Sequence, residues 1–243
     1  MKILAINGSP NRNGSTAKLI DMVLDVCKEA GAECESLHLE DYVIGECSAC
    51  IKYLKDCEYC QGQEDDFMQL KAKMLDADGI VIGSPYYSGK PTIQIKTFIN
   101  RIAYTSVNNR FFENKYIVGV STSAVSNSKK IARFCATLGH SSFMGNGIVS
   151  GLLYESTVDK VVMGDLADNE ELKAKAKVVG LDLIEDIKIK RKAKFYTLKR
   201  IVFTKWIKVL CIKVIRFFDK IALKIRKFAE NQGWIKKINK IED

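Results

Sequence analysis

Residues 2–16 read Lys-Ile-Leu-Ala-Ile-Asn-Gly-Ser-Pro-Asn-Arg-Asn-Gly-Ser-Thr, an apolar run that passes directly into a loop of glycine, serine and asparagine. The run is typical of a buried strand, and residues 17–30 then repeat apolar side chains at helical spacing. A loop of this kind brings backbone N–H groups, hydroxyls and the positive end of the helix dipole together. The stretch therefore predicts a phosphate site at the first strand-to-helix turn.

The remainder of the first 187 residues alternates between strand and helix patterns. Strands are predicted at 2–7, 33–39, 79–84 and 116–121 and within 143–149, and helices at 17–30, 65–75, 92–102, 129–138 and 169–187. Five strands that alternate with five helices predict an α/β fold whose parallel sheet is covered on both faces. We therefore predict a doubly wound, five-stranded parallel sheet in residues 1–187, followed by a basic amphipathic helical extension in residues 188–243.

A second loop follows the predicted third strand at the same edge of the sheet, where open parallel sheets bind their ligands. Residues 83–91 read Gly-Ser-Pro-Tyr-Tyr-Ser-Gly-Lys-Pro, and their two aromatic rings offer a stacking surface for a flat conjugated ring. The same tyrosines could instead cover the edge of the core. The chain has neither the P-loop lysine motif nor G-x-G-x-x-G in the first loop, which argues against triphosphate hydrolysis and against a dinucleotide fingerprint.

Together with residues 96–101, the two loops resemble the NADPH-dependent FMN reductase family, and the cysteine-bearing loop between them resembles its iron-sulfur flavoprotein branch. The resemblance covers roughly residues 1–187 and implies a flavodoxin-like fold. It implies that the first loop holds the FMN phosphate, that the second lies along the flavin ring, and that the loop after the fourth strand completes the site. In this chain that last loop reads Ser121-Thr122-Ser123-Ala124 and departs from the family by lacking the glycines often found there. The FMN-binding residues so implied are Ser9, Asn11, Asn13, Gly14, Ser15, Thr16, Pro85, Tyr86, Tyr87, Ser88, Ser121 and Thr122.

Four of the eight cysteines lie in one loop, residues 45–64, with the spacing C-x2-C-x6-C-x2-C. Four thiolates suit an iron-sulfur cluster, here of the 4Fe–4S type, or a tetrahedral zinc ion. The iron-sulfur branch carries a tighter set, and Tyr53 stands where its third cysteine would fall, so thiols without a metal remain an alternative. Redox chemistry beside a flavin favours iron over zinc. The candidate metal ligands are Cys47, Cys50, Cys57 and Cys60.

The net charge of +9 belongs to the C-terminal extension, because residues 188–243 carry 18 basic and 4 acidic side chains. Residues 199–228 form a cationic amphipathic pattern whose apolar face covers about half of the helix circumference. That face predicts docking on the protein's own core, on a partner subunit, or in the plane of a membrane surface. The large apolar face disfavours nucleic acid.

The N-terminus shows no signal-peptide pattern, which predicts a cytoplasmic protein, peripheral at the inner membrane face if residues 199–228 bind lipid. Free cysteines are then reduced, and Cys27, Cys34, Cys135 and Cys211 are interpreted as core residues. The two histidines, His38 and His140, are isolated in sequence and receive no catalytic role.

The function expected from these features is an FMN-dependent oxidoreductase in which reducing equivalents pass from NAD(P)H or ferredoxin to a small acceptor such as a quinone or flavin. Its alternatives are an electron carrier between protein partners and a scaffold that has lost the flavin. The resemblance also implies a homo-oligomer, because flavin sites in this family are often completed by a second subunit.

Overall fold

The structure is a computed structural model that describes residues 1–47, 65–105, 112–125, 127–138, 147–156 and 166–192, together with Ile221 and Lys224. The chain divides into two units, residues 1–193 and 194–243. In the second unit the two described residues are both helical, Ile221 partly buried and Lys224 exposed. The other residues of the predicted basic helix, including Cys211, lie outside the described ranges. Within those ranges, no helix combines the length and the apolar character needed to cross a bilayer.

The first unit contains one all-parallel sheet of five strands in the order β2-β1-β3-β4-β5. The strands are β1 (Lys2–Asn7), β2 (Glu33–His38), β3 (Gly79–Gly83), β4 (Tyr116–Thr122) and β5 (Ile148–Glu155). The helices that follow them in turn are α1 (Ser15–Glu29), α2 (Phe67–Asp76), α3 (Ile93–Thr105), α4 (Ser128–Thr137) and α5 (Glu170–Lys188). This architecture confirms the predicted doubly wound α/β fold.

Helices cover the sheet on both faces, which is why the middle of each central strand is apolar. Ile3 and Ala5 of β1 pack with α1 and α5 in one hydrophobic cluster. Their neighbours Leu4 and Ile6 point the other way and pack with α2, α3 and α4 in a second cluster. Every residue of β3 and of β4 is buried.

The predicted buried cysteines lie in this core as far as it is described. Cys27 and Cys135 are buried, and Cys34 is half-buried. Burial raises the pKa of both the Cys27 and Cys135 thiols to about 12. These thiols therefore stay protonated at neutral pH and are unsuited to nucleophilic or metal-binding roles.

The last strand lies further along the chain than the sequence pattern predicted. The prediction placed it within residues 143–149, whereas β5 begins at Ile148 and ends at Glu155, and residues 139–146 lie outside the described ranges. Ser150 and Gly151 interrupt the apolar pattern in the middle of this strand. Gly151 is required by packing, because a Cβ there would lie 2.9 Å from Cγ1 of Val179 on α5.

The strand order reverses between β1 and β3, because the chain first adds β2 on one side of β1 and then returns to add β3 on the other. Loops that leave the carboxyl ends of these two strands must diverge to opposite faces, which opens a crevice between them. The predicted phosphate loop and the tyrosine loop leave these two strand ends.

Candidate functional site

The loop after β1 is shaped by three successive hydrogen bonds from side chains to backbone. Oδ1 of Asn7 accepts from the amide of Ser9 at 2.9 Å, Oγ of Ser9 accepts from the amide of Asn11 at 3.1 Å, and Oδ1 of Asn11 accepts from the amide of Asn13 at 3.1 Å. Each bond spans two residues, the turn geometry that Asn and Ser side chains favour. The acceptor atoms of Ser9 and Asn11 are thereby engaged, and their O–H and NH₂ groups remain to donate to an anion.

Helix α1 begins at the end of this loop without a competing negative charge. Its N-cap is Gly14, which offers no side-chain hydrogen bond, and its first turn carries no acidic residue. Because the first N–H groups of a helix have no acceptor within the helix, this end favours an anion. Oγ1 of Thr16 lies 2.8 Å from Oγ1 of Thr122, so that the start of α1 is tied to the carboxyl end of β4.

Gly8 and Thr92 hold the first and second loops against each other. The amide of Gly8 donates to the carbonyl of Gly83 at 2.8 Å. Oγ1 of Thr92 donates to the carbonyl of Gly8 at 2.6 Å and accepts from the amide of Ile95 at 3.4 Å, and it thus caps α3. A Cβ at position 8 would lie 2.1 Å from Cγ1 of Ile95, so only glycine fits here.

The second loop presents its two tyrosines differently. Tyr87 and Lys90 exchange backbone hydrogen bonds of 3.0 and 2.9 Å around Ser88 and Gly89, both of which have positive φ. This tight turn leaves Tyr87 52% exposed. Tyr86 is half-buried against the core, and its amide donates to the carbonyl of Thr122 at 2.9 Å. The sequence left open whether the tyrosines stack on a ligand or cover the edge of the core. In the structure Tyr86 covers the core edge, and Tyr87 is available for stacking.

Three loops enclose a cavity of about 500 Å³ at the carboxyl ends of β1, β3 and β4. Its volume falls in the range of about 300–1,000 Å³ that is usual for cofactor sites. The lining residues are Ser9, Asn11, Gly14, Ser15 and Thr16 from the first loop, Pro85, Tyr86, Tyr87 and Ser88 from the second, and Thr122, Ser123, Ala124 and Val125 from the third.

Ten of the twelve residues predicted to bind FMN line this cavity, and Asn13 and Ser121 do not. Asn13 is exposed beside it. Ser121 is fully buried in β4, and its Oγ has no hydrogen-bond partner among the described residues. Its side chain points into the fold because the pleat of a strand turns alternate residues to opposite faces.

Sequence reasoning missed several residues that build the site. Asn7 was read only as the last residue of a strand, and Thr92 as the first residue of a helix rather than its cap. Thr92 could have been recognised, because a threonine directly before an apolar helical pattern is a usual N-cap signal. Ser123 and Ala124 lie in the loop after β4, which the resemblance implied would complete the site, but neither was named among the FMN-binding residues. Val125 was missed, because its place in the lining depends on where β4 ends.

The lining of the cavity fits FMN. Donors and the positive end of α1 lie at one side, where a phosphate would bind, and no carboxylate is among the described lining residues. Tyr87 and Val125 form an exposed apolar part of the rim, with Val125 79% exposed. A dianionic phosphate and an aromatic ring therefore both find complementary surfaces.

The cysteine loop is closed at its base by a buried ion pair. The guanidinium of Arg101 on α3 binds the carboxylate of Asp65 and donates to the carbonyl of Gly45 at 3.0 Å. The amide of Gly45 donates to Oδ2 of Asp65 at 2.9 Å. Gly45 and Asp65, at the two ends of the cysteine loop, are therefore held next to each other and against Arg101 of α3.

Of the four candidate metal ligands, the structure describes Cys47 alone. Cys47 is half-buried and lines a small cavity of about 240 Å³ with Ile93, Lys96 and other residues of α3. Cys50, Cys57 and Cys60 lie outside the described residues. Within the described ranges no cluster of His, Cys, Asp and Glu side chains has the arrangement of a metal site.

Comparison with known proteins identifies a family for this chain. A family model described as NADPH-dependent FMN reductase matches residues 1–135. An iron-sulfur flavoprotein of Archaeoglobus fulgidus is 41% identical over 128 residues, which are 52% of this chain and 61% of that protein. The match thus spans about three fifths of the relative's length.

Two solved structures share the fold. A flavone reductase superposes with a TM-score of 0.59 at 24% identity, covering 77% of this chain and 63% of that one. A flavodoxin from the domain Archaea superposes with a TM-score of 0.50 at 12% identity, covering 77% of this chain and 99% of that one. At these identities the likeness concerns the fold, which is flavodoxin-like as the resemblance implied.

Proposed function

The chain belongs to the NADPH-dependent FMN reductase family, and on that premise we propose that it binds FMN in the three-loop cavity and passes reducing equivalents from NAD(P)H to a small acceptor. The observation that carries the proposal is the cavity itself, with anion donors at the start of α1 and an exposed aromatic ring on its rim. FMN supplies the hydride and single-electron chemistry when bound.

The residues of this chain have three tasks in that reaction. The Ser9 hydroxyl, the Asn11 NH₂ group and the N–H groups at the start of α1 bind the phosphate, because the acceptor atoms of Ser9 and Asn11 are occupied by amides of the loop itself. Thr16 and Thr122 hold the start of α1 against β4 and so keep the first and third loops together around the cavity. Tyr87 covers one part of the ring and leaves the adjoining rim open to a donor and an acceptor in turn.

The binding mode is tested by comparing FMN with riboflavin, which lacks the phosphate, in titrations of apoprotein followed by flavin fluorescence. FMN is expected to bind at least about tenfold more tightly, which corresponds to about 1.4 kcal/mol. Equal affinities would contradict the assignment of the first loop to the phosphate. Steady oxidation of NADH or NADPH with a quinone acceptor tests turnover, and a protein that binds FMN without oxidising either nucleotide would exclude the proposed donor.

We further propose that Cys47, Cys50, Cys57 and Cys60 hold an iron-sulfur cluster. The support is their C-x2-C-x6-C-x2-C spacing and the name of the relative from A. fulgidus. Iron, zinc and acid-labile sulfide are measured on protein purified without oxygen. Cys47→Ser is expected to lower the iron content, while Cys34→Ser, outside the loop and half-buried, serves as the matched control. Zinc without sulfide would contradict the cluster.

A second candidate function is electron transfer between protein partners. It is favoured by the position of Cys47 against Ile93 and Lys96, in the helix that follows the tyrosine loop directly. A metal centre there would lie beside the start of α3, which follows the tyrosine loop directly in the chain. Slow NAD(P)H oxidation combined with fast flavin reduction by reduced ferredoxin would support this role, whereas fast NAD(P)H turnover would exclude it.

Residues 199–228 are proposed to bind a membrane surface in its plane, on the strength of their cationic amphipathic pattern. Co-sedimentation of the full chain with anionic and with neutral vesicles tests this proposal. Binding that requires anionic lipid is expected. The absence of sedimentation with either vesicle would leave docking on protein as the role of this segment.

A further inference from the structure

His38 and Asn7 lie at the carboxyl ends of the neighbouring strands β2 and β1, where their register pairs them directly. Nδ2 of Asn7 is 3.4 Å from Nε2 of His38, at the long end of the hydrogen-bond range. Asn7 is 1% exposed and His38 is half-buried. The contact therefore lies beneath the first loop, and neither residue belongs to the cavity lining.

The orientation of the Asn7 amide follows from its other hydrogen bond. Its side chain contacts the amide of Ser9 at 2.9 Å, and a backbone N–H can only donate. The atom facing Ser9 must therefore be the oxygen, which leaves the NH₂ group of Asn7 facing His38. Nε2 of His38 must therefore accept, so the imidazole is neutral and carries its proton on Nδ1, a buried atom that has no acceptor among the described residues.

A protonated His38 would place an N–H group against the NH₂ group of Asn7. Two donors then oppose each other, and relief requires Asn7 to turn or to withdraw, either of which removes the acceptor from the amide of Ser9. Since that bond is the first of the three that shape the loop, the disturbance reaches Asn11 and Asn13 through the next two.

The charges around His38 come from three elements. Arg12 of the first loop and Asp21 of α1 both act on the ring, and Asp41, after β2, forms an ion pair with Arg12. Burial lowers the pKa of His38 from its usual 6.5, Arg12 lowers it further, and Asp21 opposes them. The surroundings thus favour the neutral ring that the hydrogen bonds require.

We propose that Asn7 and neutral His38 are a positioning pair that holds the amide of Ser9 and thereby fixes the turn that presents the Ser9 hydroxyl and the start of α1 to the FMN phosphate, so that protonation of His38 weakens FMN binding. The inference rests on the proposed function, because it takes the first loop as the phosphate site. It gives Asn7 and His38, which had no functional role in the sequence analysis, a pH-sensitive role in supporting that loop.

The test compares FMN dissociation constants of the wild type and of His38→Gln from about pH 7.5 to about pH 5.5. Glutamine can still accept from Asn7 but does not titrate in this range. The phosphate of FMN titrates near pH 6 in both measurements. The informative quantity is therefore the dissociation constant of the wild type divided by that of His38→Gln at each pH. The ratio is expected to rise as the pH falls, by at most about tenfold, the limit for a histidine of unshifted pKa.

A ratio that stays flat would overturn the proposal while leaving FMN binding intact. His140→Gln, which removes the only other histidine of the chain, should retain the wild-type dependence, and its loss there would overturn the proposal as well. If neither protein bound FMN at any pH, the proposed function would fall instead.

The pair is also tested without flavin, by recording the ring ¹⁵N shifts of His38 in the wild-type apoprotein at about pH 7.5. A proton on Nδ1 is expected. A proton on Nε2 would overturn the proposal whatever the behaviour of the variant.

Discussion

Arg101 and Asp65 form an ion pair whose side chains are 0% and 4% exposed, and the pair joins α3 to the base of the loop that carries the cysteines. Asp65 also accepts from the amides of Gly45 and Phe67, so the carboxylate has partners on both sides of that loop. The ring of Phe67 lies 4.6 Å below the guanidinium carbon of Arg101. A buried pair with these contacts tolerates the loss of either member poorly, because the other charge is left buried.

Asp65→Asn is therefore expected to lower the free energy of unfolding by about 3–5 kcal/mol, the usual cost of breaking a buried pair. Urea unfolding of the holoprotein measures it. Lys28→Gln is the matched control, because the Lys28–Asp25 pair is 55% and 64% exposed and should contribute less than about 0.5 kcal/mol. Similar losses in both variants would contradict the role given to Asp65.

The same pair predicts a dependence of stability on acid pH. Burial alone would raise the pKa of Asp65, but hydrogen bonds from Arg101, Gly45 and Phe67 outweigh it and hold the pKa below its usual 3.8. The unfolded chain therefore takes up the proton first, and the stabilisation is complete above the unfolded pKa and lost as the pH falls through the folded one. As the pH is lowered below about 4, the urea midpoint of the wild type should fall more steeply than that of Asp65→Asn. Parallel curves would contradict a lowered pKa of Asp65.

Thr16 and Thr122 are expected to show coupled effects, since their hydroxyls pair in a buried position. Thr16→Val or Thr122→Val alone leaves one buried hydroxyl without its partner and should cost about 1–2 kcal/mol. The double variant should cost less than the sum of the two single changes, because no orphaned hydroxyl remains. A double-mutant cycle from urea unfolding of the apoprotein provides the coupling energy, and strict additivity would show that the contact contributes nothing.

Gly8→Ala should destabilise the protein and weaken FMN binding together. The added methyl group would overlap the side chain of Ile95, and overpacking of this kind costs about 1–3 kcal/mol. Ile95→Ala makes room for the new methyl group. Adding Gly8→Ala to the Ile95→Ala variant should therefore cost less stability and less FMN affinity than adding it to the wild type. If Gly8→Ala costs as much stability and FMN affinity in the Ile95→Ala variant as in the wild type, the steric explanation is incorrect.

Tyr87→Ala should lower FMN affinity by about 3- to 10-fold, since an aromatic contact contributes roughly 0.5–1.5 kcal/mol, and should leave the stability of the apoprotein nearly unchanged because Tyr87 is 52% exposed. Tyr86→Ala should lower both, because Tyr86 also packs on the core. Tyr87→Phe keeps the ring and should bind FMN as the wild type does. Flavin titrations and urea unfolding of the three apoproteins distinguish these outcomes.

The fold and the first loop could be predicted because their signals are local. Alternating strand and helix patterns need only a few neighbouring residues each, and so does a glycine-rich turn ahead of an amphipathic helix. The predicted position of β5 was wrong. Gly151 interrupts the apolar run of this strand because a larger side chain there would collide with Val179 on α5. Packing against a distant helix leaves no periodic trace in the strand.

By itself, the sequence determined a doubly wound parallel sheet, a glycine-rich loop ahead of α1 and a pair of aromatic residues after β3, since each depends on backbone geometry within a short segment. Only the tertiary structure decided which side chains cooperate. Thr16 meets Thr122 across 106 positions, and His38 meets Asn7 across 31. These contacts depend on the order and register of the strands, which bring together residues that share no local pattern.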